Sequence, residues 1–223
     1  MDTLLEKLPN PLQPSDPPLR VRRKFMTIAL ILFISTAVGI VFVRSFWLQE
    51  GFHTNWTISR YAGTNAITAI LFALSNFTIT LLMIKYFRDV KKTHHLSKIW
   101  SWAIGLMIVS FFVLSVCPVG LFDPGWGSFG IVSRVHQESA HTLFITMFIT
   151  AIGSLIEFKN KPRIFIGFTI FLLAYGVFAI FGYSLKPAFF MNNILFFEFF
   201  YVVFNLVLYG LMSYRPKVAI IKA

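Results

Sequence analysis

Long apolar runs separated by short polar connections occupy nearly the whole chain. Six of them, near 25–43, 62–84, 99–116, 136–157, 164–182 and 192–213, read as helices. Crossing a hydrocarbon core of ~30 Å takes about 20 helical residues, which each run can supply. The pattern predicts an all-α, polytopic membrane protein with six transmembrane helices. Residues 1–24 precede them as a Pro-rich, basic tail ("LPNPLQPSDPPLR" then "RVRRK"), and residues 214–223 follow as a short basic tail. Prolines at that density exclude a helix, so the first tail is expected to be extended and disordered. Residues 25–213 form the membrane domain.

Composition strengthens this picture. Of 223 residues, 57% are hydrophobic and 13% are charged, against roughly 25% charged in soluble domains. The 27 Phe residues suit lipid-facing and inter-helix surfaces.

A formal net charge of +11 would suggest nucleic acid in a soluble protein. Here the positions of the charges give a different meaning. Of the 20 Lys and Arg residues, all but Arg44, Arg60, Arg134 and Lys186 fall in the two tails, after the second run, or after the fourth. These places lie on one side of a six-helix chain. The positive-inside rule therefore predicts both termini in the cytoplasm (N-in/C-in), with the lipid bilayer as partner and no nucleic acid.

Polar residues inside the apolar runs are the candidate chemistry. "RVHQESAHTLF" opens the fourth helix, and there Arg134, Glu138 and His141 share a face at i, i+4, i+7 while His136 projects elsewhere. His141 lies about 7 Å below the start of that helix by helical rise. In the sixth helix Glu198, Tyr201, Asn205 and Tyr209 form one stripe, and in the second Asn65, Thr68 and Asn76 form another. A lone ionised group facing lipid costs roughly 2.5–3.5 kcal/mol. Arg134, Glu138 and His141 are therefore expected to face inward, with Glu198 beside them. Asn and Tyr can also serve simply as hydrogen-bonding contacts between helices.

The expected site is a polar pocket on the exoplasmic side, between the second, fourth and sixth helices, built from Arg134, His136, Glu138, His141, Glu198, Tyr201 and Asn65. It would bind a lipid head group or another amphipathic small molecule. A lipid-modifying membrane enzyme and a proton-coupled transporter using Glu198 and His141 are the alternatives. No residue stands out as catalytic. The single Cys117 excludes an intrachain disulfide and a cysteine zinc cluster. Glu138-x-x-His141 occurs once, whereas di-iron helical proteins need that motif twice plus two more Glu. Neither a metal nor a cofactor is expected.

Two stretches carry a resemblance: "TISRYAGTNAITAILFALSNFTITLLMIKYF" and "VCPVGLFDPG" with the later "RVHQESAHTLFI". They resemble a family of six-helix prokaryotic integral membrane proteins of unknown function. More distantly they are similar to the DRAM/Sfk-type membrane proteins of eukaryotes. Ile58, Ser59 and Gly63 match a short I-S-x-x-G element before the second helix, with one residue inserted. His136, Ala140 and Phe144 match the start of the fourth helix. The resemblance implies six helices, an exoplasmic polar pocket, a lipid-linked role and a place in a prokaryotic inner (plasma) membrane.

Overall fold

The computed structural model describes residues 19–63, 65–93, 96–117, 130–157 and 161–212. Every element among them is helical. α1 (Leu19–Phe42) runs on into a π-helical turn (Val43–Trp47) and is followed by the short α2 (Ile58–Gly63). Then come α3 (Ala66–Thr93), α4 (Lys98–Val116), α5 (Ile131–Glu157), α6 (Arg163–Leu185), the short α7 (Ala188–Asn192) and α8 (Ile194–Met212). Six of these helices, α1, α3, α4, α5, α6 and α8, are long and apolar enough to cross a membrane. Over the described residues the chain is all-helical, and its six long apolar helices make it an integral membrane protein. The expected tails at 1–18 and 214–223 lie outside the described residues, and α1 begins at Leu19, inside the segment read as tail.

Two predicted runs are divided. The run at 62–84 contains the end of α2 and the start of α3, because the chain turns at Asn65. Asn65 Oδ1 accepts the Ile67 N–H at 2.9 Å, so its side chain caps α3. The last run is divided at Asn193, between α7 and α8. Lys186 ends α6 in the left-handed region, φ 48°, and Pro187 prevents the helix from continuing.

The long helices pack in chain order as a closed ring: α1 on α3, α3 on α4, α4 on α5, α5 on α6, α6 on α8, and α8 back on α1. Successive helices run antiparallel, giving the bundle two distinct ends. The basic end carries Arg23, Lys85, Arg88, Lys91, Lys98 and Arg163. The far end carries Arg44, Arg60, Arg134 and Lys186, together with α2, which wedges between α1, α3 and α8.

Small residues set the closest approaches. A Cβ at Gly153 would meet the Trp100 ring, and one at Gly182 the Phe190 ring, each at under 3.0 Å. Trp100 also donates its indole N–H to the Thr150 carbonyl at 3.1 Å, locking α4 to α5. Gly176 is tight as well, against Phe148 and Tyr201. Gly167 differs from the other α6 glycines, since a Cβ there meets only open space. Toward the basic end, Tyr209 lies 2.7 Å from Thr150 Oγ1 and 3.1 Å from Met107 Sδ, while Tyr86 donates to the Tyr209 carbonyl. These contacts join α3, α4, α5 and α8 through fully buried side chains.

Candidate functional site at the far end of the bundle

Glu198, in the second turn of α8, organises the far end. Its Oε2 accepts the Ile58 backbone N–H at 2.9 Å, and its Oε1 accepts the Tyr183 hydroxyl at 2.6 Å. The first N–H groups of a helix have no partner within it. Glu198 supplies one from across the bundle, so a carboxylate on α8 caps α2 while holding α6 through Tyr183. The loop before α2 is fixed separately. Tyr61 accepts the His53 N–H at 2.6 Å, Leu195 donates to the Thr54 carbonyl at 3.1 Å, and His53 stacks on Trp56 at 4.3 Å.

Beside Glu198 is a cavity of about 50 Å³ whose polar lining is Glu198, Asn76 and Ser59, with Phe33, Phe111 and Phe144 among its apolar walls. Among the described residues Glu198 is the only ionisable side chain on that lining. Asn76 is buried, and its Nδ2 has no hydrogen-bond partner among the described residues. An amide donor and a carboxylate acceptor thus line one small space. It can hold a few atoms, since a water needs about 10–15 Å³. On the outer side of Ile58 lies a groove of about 410 Å³ between α1 and α8, walled by Val38, Phe42, Phe46, Leu195, Phe196 and Phe200 among others. All of the described side chains that line it are apolar. Ile58 lines both spaces.

The orientation expected for the start of α5 is reversed. Arg134, Glu138 and His141 are exposed, and His136 is the buried member of the set. The cause is the end of α4. Its terminal carbonyls lack helical partners, and His136 Nδ1 lies 2.9 Å from the Cys117 carbonyl, to which it donates. One imidazole with a ready acceptor can enter the bundle. Long charged side chains at a membrane boundary instead extend toward the polar layer. Glu198 and His141 do not touch; Tyr183 stands between them, hydrogen-bonded to Glu198 and edge-on to the His141 ring at 6.2 Å.

The other expected residues also separate. Asn65 is the α3 cap described above. Tyr201 is buried and donates to the Phe144 carbonyl at 3.1 Å, as a contact between α8 and α5. Neither lines the cavity. Of the predicted set only Glu198 does, joined by Asn76 from the polar stripe of the second predicted helix. Ile58, Ser59 and Tyr183 were not singled out as site residues. Nothing in the sequence sets Tyr183 apart from any interfacial tyrosine, and the part played by the Ile58 N–H comes from the backbone, so neither could have been found.

The π-helical turn buries a further cation. Arg44 and Ser45 point inward there, and Arg44 pairs with Glu50 through Nη2. Its Nε and Nη1 have no hydrogen-bond partner among the described residues. Among the described residues no group of three or more His, Cys, Asp or Glu side chains is placed to hold a metal ion. No protein-family model matches the chain, and no curated protein or solved structure matches it either. The functional reading therefore rests on the geometry of this molecule.

Proposed function

We propose that the protein binds a membrane amphiphile at the far end. Its apolar chain lies in the groove between α1 and α8, and a small hydroxyl or amine head reaches Glu198 and Asn76. The observation that carries this reading is the position of Ile58, whose side chain lines both groove and cavity and whose N–H is held by Glu198. A groove of about 410 Å³ falls within the ~300–1,000 Å³ usual for small-molecule sites. Between two membrane-length helices, hydrocarbon is the natural occupant. Among the described residues the cavity offers one acidic group and no basic one, which favours a neutral or cationic head over a phosphate.

Binding accounts for this geometry better than turnover or passage. Glu198 already accepts two hydrogen bonds, and His141 relates to it only through Tyr183. Asn205 and Tyr209 continue the stripe toward the basic end, but both are fully buried and line neither the cavity nor the groove. The orientation belongs to the same proposal. With 16 of 20 Lys and Arg residues falling in the two tails or after the second and fourth apolar runs, the basic end faces the cytoplasm of a prokaryotic plasma membrane, and the site opens on the exoplasmic half.

The test uses photoactivatable long-chain probes on the purified full-length protein: a primary alcohol, a primary amine and a fatty acid of equal length. Alcohol and amine should label α1 and α8 around Val38–Phe42 and Phe196–Phe200 in preference to the fatty acid. Val38→Trp, which fills the groove, should reduce labelling by both. Glu198→Gln should reduce amine labelling and spare the alcohol. Equal labelling by the fatty acid, or indifference to Val38→Trp, would overturn the reading.

A further inference from the structure

A second opening lies at the basic end. It is a cleft of about 500 Å³ where α1, the start of α6 and α8 meet. Arg23 and Thr27 of α1 supply its polar lining; Met26, Phe165, Leu206 and Val207 are among its apolar walls. Gly210 also lines it, and the missing side chain helps keep the space open: a Cβ there would find nothing nearer than Met26 Cβ at 4.0 Å. The cleft shares no lining residue with the far-end groove.

Charge identifies the occupant. Arg23 is exposed at the cleft, and among the described residues no carboxylate pairs with it. None of the described residues that line it is acidic. Pro162, also on the lining, begins α6 without a side-chain cap, and the first turn of α6 contains no acidic residue and includes Arg163. An unpaired guanidinium and the positive end of a helix macrodipole thus adjoin an apolar slot. A free phosphate would leave that slot unfilled, and a neutral hydrocarbon would leave Arg23 unmatched. We infer that the cleft is a binding site for an anionic phospholipid, its phosphate at Arg23 and one acyl chain between α1 and α8. The far-end reading is not needed for this inference, which rests only on the six helices being in a membrane.

The inference is tested by native mass spectrometry of the full-length protein, released from nanodiscs containing equal parts phosphatidylglycerol and phosphatidylcholine. Wild type should retain phosphatidylglycerol in preference. Arg23→Gln should reduce that retention about fivefold, the equivalent of the ~1 kcal/mol that a basic residue contributes near an anionic surface, and leave phosphatidylcholine unchanged. Gly210→Leu, filling the slot, should reduce retention of both. Val207→Phe obstructs it from a half-buried neighbouring position and serves if Gly210→Leu does not fold. Loss with Arg23→Gln but none with the slot-filling variants would mean surface attraction alone and would overturn the site. No preference in wild type, or none lost with Arg23→Gln, would overturn it equally.

Discussion

Glu198 and Ile58 are 140 residues apart in sequence and 2.9 Å apart in space, joined by one hydrogen bond from a helix's first N–H to a carboxylate. Replacing Glu198 by Leu removes that acceptor and the one used by Tyr183. The Ile58 N–H is then left without its partner, at a cost of about 1–3 kcal/mol. Gln should cost far less, because its oxygen can serve Ile58 while Tyr183 turns to accept from its amide. Thermal unfolding in detergent should rank wild type and Gln close together, with Leu well below.

The two histidines of α5 should behave oppositely. His136 is buried on the Cys117 carbonyl, so His136→Leu should destabilise by about 1 kcal/mol. His141 is exposed, and His141→Ala should change stability by no more than about 0.5 kcal/mol. Chemical denaturation of the two variants measures the difference, and the reverse order would restore the inward stripe.

Glycines offer a paired test of packing. Gly153→Ala drives a methyl into the Trp100 ring and should cost about 1–3 kcal/mol. Gly105 has open space around its Cβ position, so Gly105→Ala should be neutral or stabilise the helix by up to about 1 kcal/mol. Unfolding midpoints of the two variants, compared with wild type, decide it.

Tyr209→Phe keeps the ring and removes only the hydroxyl between Thr150 and Met107. Hydrogen bonds between membrane helices average about 0.6 kcal/mol, and the expected loss is of that size. A loss of several kcal/mol would show that the contact holds the ring of helices together more strongly than its geometry implies.

Orientation is checked by labelling. In a Cys117→Ser background, a cysteine at Glu50 should react with an impermeant thiol reagent added to intact cells, and one at Lys98 should react only after lysis. Both positions are exposed, at opposite ends of the bundle. The opposite result would reverse the topology drawn from the basic residues.

The six spans were legible in the sequence because a hydrocarbon solvent imposes length and apolarity on each helix separately. The inward face of α5 was not. Near a membrane boundary a helix meets polar surroundings outside and a polar acceptor inside, so spacing alone could not choose between the Arg134–Glu138–His141 face and the His136 face. Glu198 was legible as a costly buried acid, but its partners were not. One is a backbone N–H in a loop-borne helix, and the other, Tyr183, is a phenol that resembles any interfacial tyrosine. The π turn was equally hidden. Nothing in "VRSFW" announces the extra residue that turns Arg44 inward.

Closing the ring brings α1 and α8 together, and both larger openings lie along that seam, one toward each end. During synthesis α1 emerges first and α8 last among the described helices. For most of translation α1 has one completed flank, against α3, and one still bare. Neither opening exists until α8 arrives to form its second wall. A molecule seated in the seam can therefore favour only the finished bundle, and a chain that stalled before α8 would offer it nothing to hold.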